Sequence, residues 1–216
     1  MKVGIIGSGA VGQALGRAFT ELGYEVMLGT RDPGAPKIHE WLTKTGKGVK
    51  AGTFEDTAQF GEILVLCPLF RAVEDILKLA GKENFKGKVV IDTTNPIADE
   101  PPKDGVLRYV TTGKESAGEL IQKWLPDAYV VKAFNSVGNA LMFKPKFEEG
   151  QPTMFICGNN SDAKKKVTQI LKDFGWDVMD SGSIEASNAL ECLCIIWCAR
   201  GFLDGQWNHA FKLLKK

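Results

Sequence analysis

Short apolar runs alternate along most of the chain with segments in which apolar residues recur every three or four positions. The runs predict strands at 3–6, 25–29, 49–52, 63–66, 88–91, 129–132, 152–157 and 176–179. The recurring segments predict a helix from Ala14 to Leu22 that ends at Gly23, and further helices at 37–46, 71–79, 116–125, 161–174 and 184–214. A brief helix is also expected after Thr53, a good N-cap. This alternation is typical of right-handed parallel units.

One irregular stretch interrupts the rhythm. Residues 97–112 contain Pro101 and Pro102, several charges and no clear period. We expect a long loop at the carboxyl edge of the sheet, either a functional lid or a plain connector. The chain of 216 residues is long enough for one domain with an appendage, and we place the division between 1–183 and 184–216.

A glycine motif follows the first strand directly. It reads Gly7-Ser8-Gly9-Ala10-Val11-Gly12 and leads into the first helix, which is the context in which such a motif indicates dinucleotide binding. Gly7 would form the tight turn, Gly9 would let the backbone approach a diphosphate, and Gly12 would let the helix pack on the strand. The diphosphate would bind at the helix N-terminus. The fold class predicted is therefore α/β, a Rossmann-type doubly wound, mostly parallel sheet with a small C-terminal helical appendage.

The second strand ends where such folds select their cofactor. Thr30 and Arg31 come first after it, and Arg31 suits the 2′-phosphate of NADP. Asp32 could instead bind the ribose hydroxyl of NAD, but Pro33 and Gly34 follow it, and we expect it to turn the loop away. The sequence favours NADP(H). Lys37 either adds a second positive charge or is a solvated lysine.

Three further strand ends carry polar or kinked segments toward the same edge. They are Cys67-Pro68-Leu69, Thr94-Asn95-Pro96 and Ala133-Phe134-Asn135. Asn95 can both donate to and accept from a ribose or a nicotinamide carboxamide. Pro68 and Pro96 would stiffen their loops. For each segment an ordinary turn is the alternative.

No acid–base set accompanies these segments. His39 lies in a predicted helix and His209 in the last one, and neither is near a strand end. Lys132 ends a strand and is the best candidate for a proton donor, although a charge partner is the preferred interpretation. We therefore predict no catalytic side chain. Reduction of a ketone or imine usually needs a positioned donor, whereas hydride transfer between two stacked cofactors needs mainly alignment.

Composition narrows the possible partners. The chain is 44% hydrophobic and 25% charged, with a net charge of +1, so we expect a small-molecule partner and neither nucleic acid nor membrane. The first strand starts at residue 2 and no apolar run is expected to span a bilayer, so we expect a cytoplasmic protein. Of five cysteines, Cys192, Cys194 and Cys198 lie close together without a C-x-x-C pair or a nearby histidine. They are interpreted as small buried hydrophobes, with Cys194 and Cys198 on one helix face, and a metal site or disulfide as the alternative.

Several of these segments resemble the coenzyme F420-dependent NADP oxidoreductases along nearly the whole chain. The resemblance rests on the glycine turn, Gly29-Thr30-Arg31, Thr94-Asn95-Pro96, and the segments 130–136, 155–160 and 180–184. The chain is similar also to the cytoplasmic domain of the six-transmembrane epithelial antigen metalloreductases, in which NADPH reduces a flavin. The resemblance implies NADPH at the strand edge with a deazaflavin (F420) or flavin over the nicotinamide. That ring would lie against Ala133, Phe134 and Asn135, closed in by the C-terminal segment, in a homodimer. Asn135 stands where archaeal members have a histidine, which leaves the acceptor open.

Two other functions remain from the sequence. One is reduction of a small imine or keto acid, as in the pyrroline-carboxylate reductases, with Lys132 as the donor. The other is a non-catalytic NADP(H) sensor that binds the cofactor and changes partners.

Overall fold

One eight-stranded sheet organises the molecule. The computed structural model describes residues 1–111 and 115–214. The strands are β1 (Lys2–Ile6), β2 (Glu25–Gly29), β3 (Val49–Gly52), β4 (Ile63–Leu66), β5 (Val89–Asp92), β6 (Tyr129–Lys132), β7 (Thr153–Gly158) and β8 (Asp177–Asp180). All eight predicted strands are present: four have the predicted bounds, three are shifted by one residue, and β1 starts one residue earlier than predicted.

The strand order is β3-β2-β1-β4-β5-β6-β7-β8. Neighbours from β3 through β6 are parallel, so their carboxyl ends meet at one edge. β7 is antiparallel to β6 and parallel to β8, so the last two strands end at the opposite edge. The order reverses beside β1, which is where open α/β sheets bind ligands. The α/β, Rossmann-type doubly wound prediction is confirmed.

Seven α-helices are described. They are α1 (Ala10–Glu21), α2 (Pro36–Thr45), α3 (Phe54–Phe60), α4 (Val73–Ala80), α5 (Ala117–Trp124), α6 (Ser161–Asp173) and α7 (Ser187–Asp204). Thr53 caps α3 as predicted and Ser116 caps α5, each in a reciprocal capping box. The predicted cap of α6 was one residue late, because the side chain of Asn160 accepts the amide of Ala163. The start of the predicted helix 71–79 is a 3₁₀ turn over Phe70–Ala72, and the α-helix begins only at Val73.

Two hydrophobic cores cover the two faces of the sheet. Phe19, Trp41 and Phe174 lie in the core on one face with α1, α2 and α6. Phe54, Leu77 and Ile121 lie in the other with α3, α4 and α5. Because the central strands are buried on both faces, the edge at which their carboxyl ends meet is held firmly by the two cores.

The stretch predicted as a long loop folds as a hairpin. The amide of Ala98 donates to Arg108 O at 2.8 Å, and the amide of Val110 donates to Pro96 O at 2.8 Å. Its tip is Asp104-Gly105, both with positive φ (51° and 78°), which is the Asp-Gly signal of a tight hairpin turn. Thr112, the last residue of the predicted loop, lies outside the described residues.

The C-terminal prediction was wrong in its extent. The helix predicted to run from 184 to 214 is a 3₁₀ turn followed by α7, which ends at Asp204, and residues 205–214 have no regular secondary structure. Gly205 in the left-handed conformation ends it (φ 68°). His209, placed by the sequence in the last helix, therefore lies in the tail; Lys215 and Lys216 are outside the described residues.

The tail folds back on α7. Trp197 Nε1 donates to His209 O at 2.8 Å, and the two rings stack with centroids 5.0 Å apart. Trp207 packs so closely on Gly201 that a Cβ there would lie 2.3 Å from the indole. The segment Ile184–Asp204 has the length and hydropathy of a membrane-crossing helix, although no such run was expected from the sequence. About a third of its most apolar 18-residue stretch is buried within the fold.

Candidate functional site

A cavity of about 740 Å³ opens at the carboxyl edge of the parallel strands. Its size is that of a small-molecule site. Residues that follow β1, β2, β4 and β5 line it, so it sits at the reversal of strand order. Of the predicted site residues, the lining includes Gly7, Ser8, Gly9, Ala10, Val11, Thr30, Arg31, Cys67, Pro68, Leu69 and Asn95.

The glycine turn is shaped by close contacts on one side and open space on the other. Gly7 has φ 131°, and a Cβ there would lie 3.1 Å from Cys67 Sγ. A Cβ on Gly12 would lie 2.0 Å from Gly7 O, so α1 can approach the turn only because Gly12 lacks a side chain. At Gly9 a Cβ would meet nothing within 4 Å. The glycine turn is thus packed against Cys67 and α1 on one side, and its other side, at Gly9, leaves space for a ligand.

The N-terminus of α1 faces this room without a side-chain cap. Gly9 is the N-cap, and no side chain accepts from the first turn of the helix. Free amides at the positive end of a helix dipole bind anions. Together with the open space at Gly9, these amides fit the diphosphate of a dinucleotide.

The end of β2 supplies hydroxyls and positive charge. Ser8 Oγ donates to Thr30 Oγ1 at 3.2 Å, which fixes both side chains at the cavity wall. Arg31 is exposed, and no carboxylate of residues 1–111 or 115–214 forms an ion pair with it. Lys37 also lines the cavity. This corner can therefore accept a phosphate.

Asp32 is engaged in its own turn. Its Oδ1 accepts the amide of Gly34 at 3.0 Å, and its carbonyl accepts the amide of Ala35 at 3.3 Å. This is the turn predicted from Pro33 and Gly34.

Cys67 lies behind the glycine turn. Its thiol points to Ile6 O at 3.4 Å and to Gly7 O at 3.5 Å. Burial raises the pKa of Cys67 to about 12, so the thiol stays protonated at neutral pH. The Cys67 side chain therefore supports the glycine turn and does not act as a nucleophile.

Thr94 and Asn95 form the wall that follows β5, and they are held from below. Thr94 N and Oγ1 both donate to Asp92 Oδ1, at 2.9 and 2.8 Å. Asn95 Nδ2 donates to Asn135 O at 2.8 Å, and Asn135 Nδ2 donates back to Asn95 Oδ1 at 3.1 Å. The Asn95 amide is therefore oriented before any ligand arrives, and it keeps one N–H and one lone pair for the cavity.

Five predicted site residues lie outside the lining. Gly12 and Pro96 are chain neighbours of lining residues, and Asn135 is hydrogen-bonded to one, Asn95. Ala133 donates its amide to Asp92 O behind the lining. Phe134 adopts a left-handed conformation (φ 62°), donates its amide to Met154 Sδ and turns its ring into the core 5.8 Å from that of Phe174. Asn135 is 4% exposed and also donates to Leu190 O at 2.8 Å. The direct cofactor contact expected of 133–135 stays a prediction; of the three residues, Asn135 has hydrogen bonds that hold Asn95.

Lys132 is a buried charge partner. Its side chain is fully buried, with Nζ 2.9 Å from Asp92 Oδ2, 3.0 Å from Glu191 Oε1 and 2.7 Å from Thr94 O. Burial by itself would lower the pKa of Lys132, but the two carboxylates, Asp92 first, raise it above the usual value. A lysine held in this way keeps its proton.

The other candidate groups lie away from the cavity. His39 is exposed on α2, and His209 Nε2 lies 3.0 Å from Trp197 O. Cys194 and Cys198 share a helix face as predicted, with Sγ atoms 3.9 Å apart, whereas Cys192 is exposed and so was wrongly predicted to be buried. No cluster of metal ligands occurs in the described part of the chain.

An apolar wall and a buried carboxylate were not predicted from the sequence. Phe54, Phe70 and Ile97 line the cavity, and each comes within a few residues of a strand end, which could have identified them. Glu191 was missed because it lies in an apolar helix far along the chain. A lone acid in such a helix is itself a sign of a buried ion pair.

Comparisons with known proteins agree with this geometry. A family model described as "NADP oxidoreductase coenzyme F420-dependent" matches residues 2–96. A crystal structure from Arthrobacter sp. FB24, provisionally described as an F420-dependent NADP reductase, superposes with a TM-score of 0.91 and 32% identity, covering all of both chains.

Two relatives, one archaeal and one mammalian, are similar to the chain at lower identity. The F420-dependent NADP reductase of Methanocaldococcus jannaschii is 27% identical over 208 residues, covering 89% of each chain. The rat metalloreductase STEAP3 is 28% identical over 194 residues, which are 89% of this chain and 36% of that protein. The chain thus spans about a third of the length of the metalloreductases that it matches.

Proposed function

Because the chain belongs to the coenzyme F420-dependent NADP oxidoreductase family, we propose that it passes hydride between NADP(H) and a deazaflavin such as F420 or a flavin. That it is an NADP-dependent oxidoreductase follows from the family; the acceptor is the proposal. When bound, the dinucleotide supplies or receives the hydride at C4 of its nicotinamide.

Each part of the cavity has a role in this proposal. The turn of Gly7, Ser8, Gly9, Ala10, Val11 and Gly12 holds the diphosphate, and Thr30 and Arg31 bind the 2′-phosphate. Cys67, Pro68, Leu69, Asn95 and Pro96 form the nicotinamide end. In this assignment residues 1–183 bind the dinucleotide and residues 184–216 close the pocket.

One observation supports the choice of acceptor: within the described part of the chain, no ionisable side chain is available as a proton donor at the nicotinamide end. Among the described residues, the ionisable side chains in the lining are Arg31, Asp32, Lys37 and Cys67. Arg31, Asp32 and Lys37 lie after β2, where the 2′-phosphate is proposed to bind, and the thiol of Cys67 points to backbone carbonyls. Hydride exchange between two cofactors needs alignment and exclusion of water more than a side-chain acid.

The same observation argues against reduction of a small imine or keto acid. The one donor candidate, Lys132, is fully buried and paired with two carboxylates. It has no exposed surface from which to protonate a substrate in the cavity.

A deazaflavin or flavin ring would stack over the nicotinamide beside Ala133, Phe134 and Asn135. These residues are buried, so the ring would contact Asn95, which is hydrogen-bonded to Asn135, and would reach the three residues themselves only after a shift of α7.

We also propose a homodimer. Val106 on the hairpin is half exposed, and so are Ile196, Phe202 and Leu203 on α7 and Trp207 in the tail. An exposed apolar surface of this kind marks an interaction site. Light scattering of the purified protein tests this, since a dimer has twice the mass of the 23.6 kDa chain.

Stopped-flow oxidation of NADPH against F420, FMN and FAD tests the main proposal. We expect single-turnover oxidation by one of them, with Gly9→Ala as a variant that removes it and Arg17→Ala, an exposed arginine on the same helix, as the matched control. Turnover only with a small imine or carbonyl would refute the proposal. NADPH binding without turnover by any of these compounds would instead identify a sensor.

A further inference from the structure

Asp92, Lys132 and Glu191 form a buried charge cluster that joins α7 to the sheet. This cluster also holds Thr94: the amide and hydroxyl of Thr94 donate to Asp92, and its carbonyl accepts from Lys132 Nζ. Thr94 lines the cavity, and Asn95 follows it directly. The position of Thr94 and Asn95 at the cavity wall therefore depends on where Lys132 Nζ lies.

Glu191 fixes that position from the C-terminal helix. Its Oε1 lies 3.0 Å from Lys132 Nζ. The carboxylate also accepts the amides of Ala117 and Gly118, at 3.2 and 3.1 Å, in the first turn of α5. These helix amides offset the second negative charge of the cluster. The preceding residue, Leu190, accepts from Asn135, which in turn holds Asn95.

Two adjacent residues of α7 thus reach the same wall by two separate routes. We propose that Glu191, acting through Lys132, is a positioning residue for the nicotinamide end of the NADP(H) site. This inference rests on the proposed function, because it assumes that the nicotinamide lies against Thr94 and Asn95. It gives a role at the site to α7, although none of the described residues of this helix lines the cavity.

The test is a double-mutant cycle on NADPH affinity. Lys132→Met would leave two buried carboxylates uncompensated and could prevent folding, so Glu191→Gln is the variant of choice. The glutamine keeps the shape but has one acceptor oxygen for the two α5 amides and no charge for Lys132. Glu191→Asp, which keeps the charge at shorter reach, is the second variant.

We expect Glu191→Gln to weaken NADPH binding roughly 10-fold in calorimetry, and Glu191→Asp to weaken it less. In an Asn95→Ala background the same change should weaken binding less than about 2-fold, since the side-chain amide that the wall presents to the nicotinamide is already gone. In an Arg31→Ala background, at the other end of the cavity, the full factor should remain. Ile170→Ala, in the core on α6, serves as a variant that lowers stability without a contact to the cluster.

The possible results separate the claims. Equal losses in the wild-type and Asn95→Ala backgrounds, or wild-type affinity in Glu191→Gln with only a lower unfolding midpoint, would overturn the positioning role and leave the proposed function intact. Absence of NADPH binding by the wild-type protein would overturn both.

Discussion

Replacing Arg31 with alanine should change the cofactor preference of the protein. Arg31 is exposed at the cavity wall and has no ion-pair partner among the described residues, so removing it leaves no orphaned charge behind. The fold should be unaffected. In the proposed binding mode the variant loses the contact with the 2′-phosphate, a group that NADPH has and NADH lacks.

The size of the loss can be worked from this setting. A hydrogen bond to a charged group contributes about 1.5–3 kcal/mol. Because the guanidinium is exposed, solvent and salt screen it, and the lower part of that range applies. A loss of about 1.5–2 kcal/mol corresponds to a Kd for NADPH that is roughly 10- to 30-fold higher. The Kd for NADH should change less than about 3-fold.

Calorimetric titration of the wild-type and Arg31→Ala proteins with both cofactors measures the four constants. Raising the salt concentration should shrink the difference between wild type and variant for NADPH only. Arg17→Ala, an exposed arginine of α1 outside the lining, should behave as wild type. An equal loss for NADPH and NADH would refute the reasoning, and it would mean that Asp32 recognises the ribose.

Three other changes follow from the same contacts. Gly12→Ala should lower the free energy of unfolding by about 1–3 kcal/mol in urea titrations, because its Cβ would lie 2.0 Å from Gly7 O, and wild-type stability would contradict this. Gly9→Ala should cost about 1 kcal/mol or less, since its Cβ meets nothing, yet it should abolish measurable NADPH binding; retained affinity would show that the diphosphate lies elsewhere. Ile196→Asp should convert the proposed dimer to a monomer in light scattering while NADPH affinity persists, and an unchanged mass would place the interface away from α7.

The fold was predictable because its signals are local. Strands such as Ile63–Leu66 are short apolar runs between polar turns, and buried parallel strands need nothing more. The end of α7 was not predictable from apolar content, since Trp207 continues the apolar pattern while packing back against Gly201. There the left-handed Gly205 was the available signal, and tertiary packing decided the path of the tail.

The candidate site divides in the same way. The proposed phosphate end is formed by β1, the glycine turn, α1 and the end of β2, which are contiguous in sequence, so Gly7, Gly9 and Arg31 could be placed from residue order alone. The nicotinamide end depends on contacts between distant segments. That Phe134 would take a left-handed conformation and turn into the core could not be read from its neighbours, because the conformation is stabilised by Met154 and Phe174.

The reversal of β7 has a practical consequence for building on this scaffold. β7 and β8 are parallel to each other and run opposite to the central strands. The turns that follow them, at 159–160 and 181–183, therefore emerge at the edge that faces away from the candidate cavity. A Cβ on Gly182 would meet no atom within 4 Å. A fluorescent reporter or an affinity module inserted there would lie on the side of the molecule opposite the candidate cavity and would leave the mouth of that cavity open.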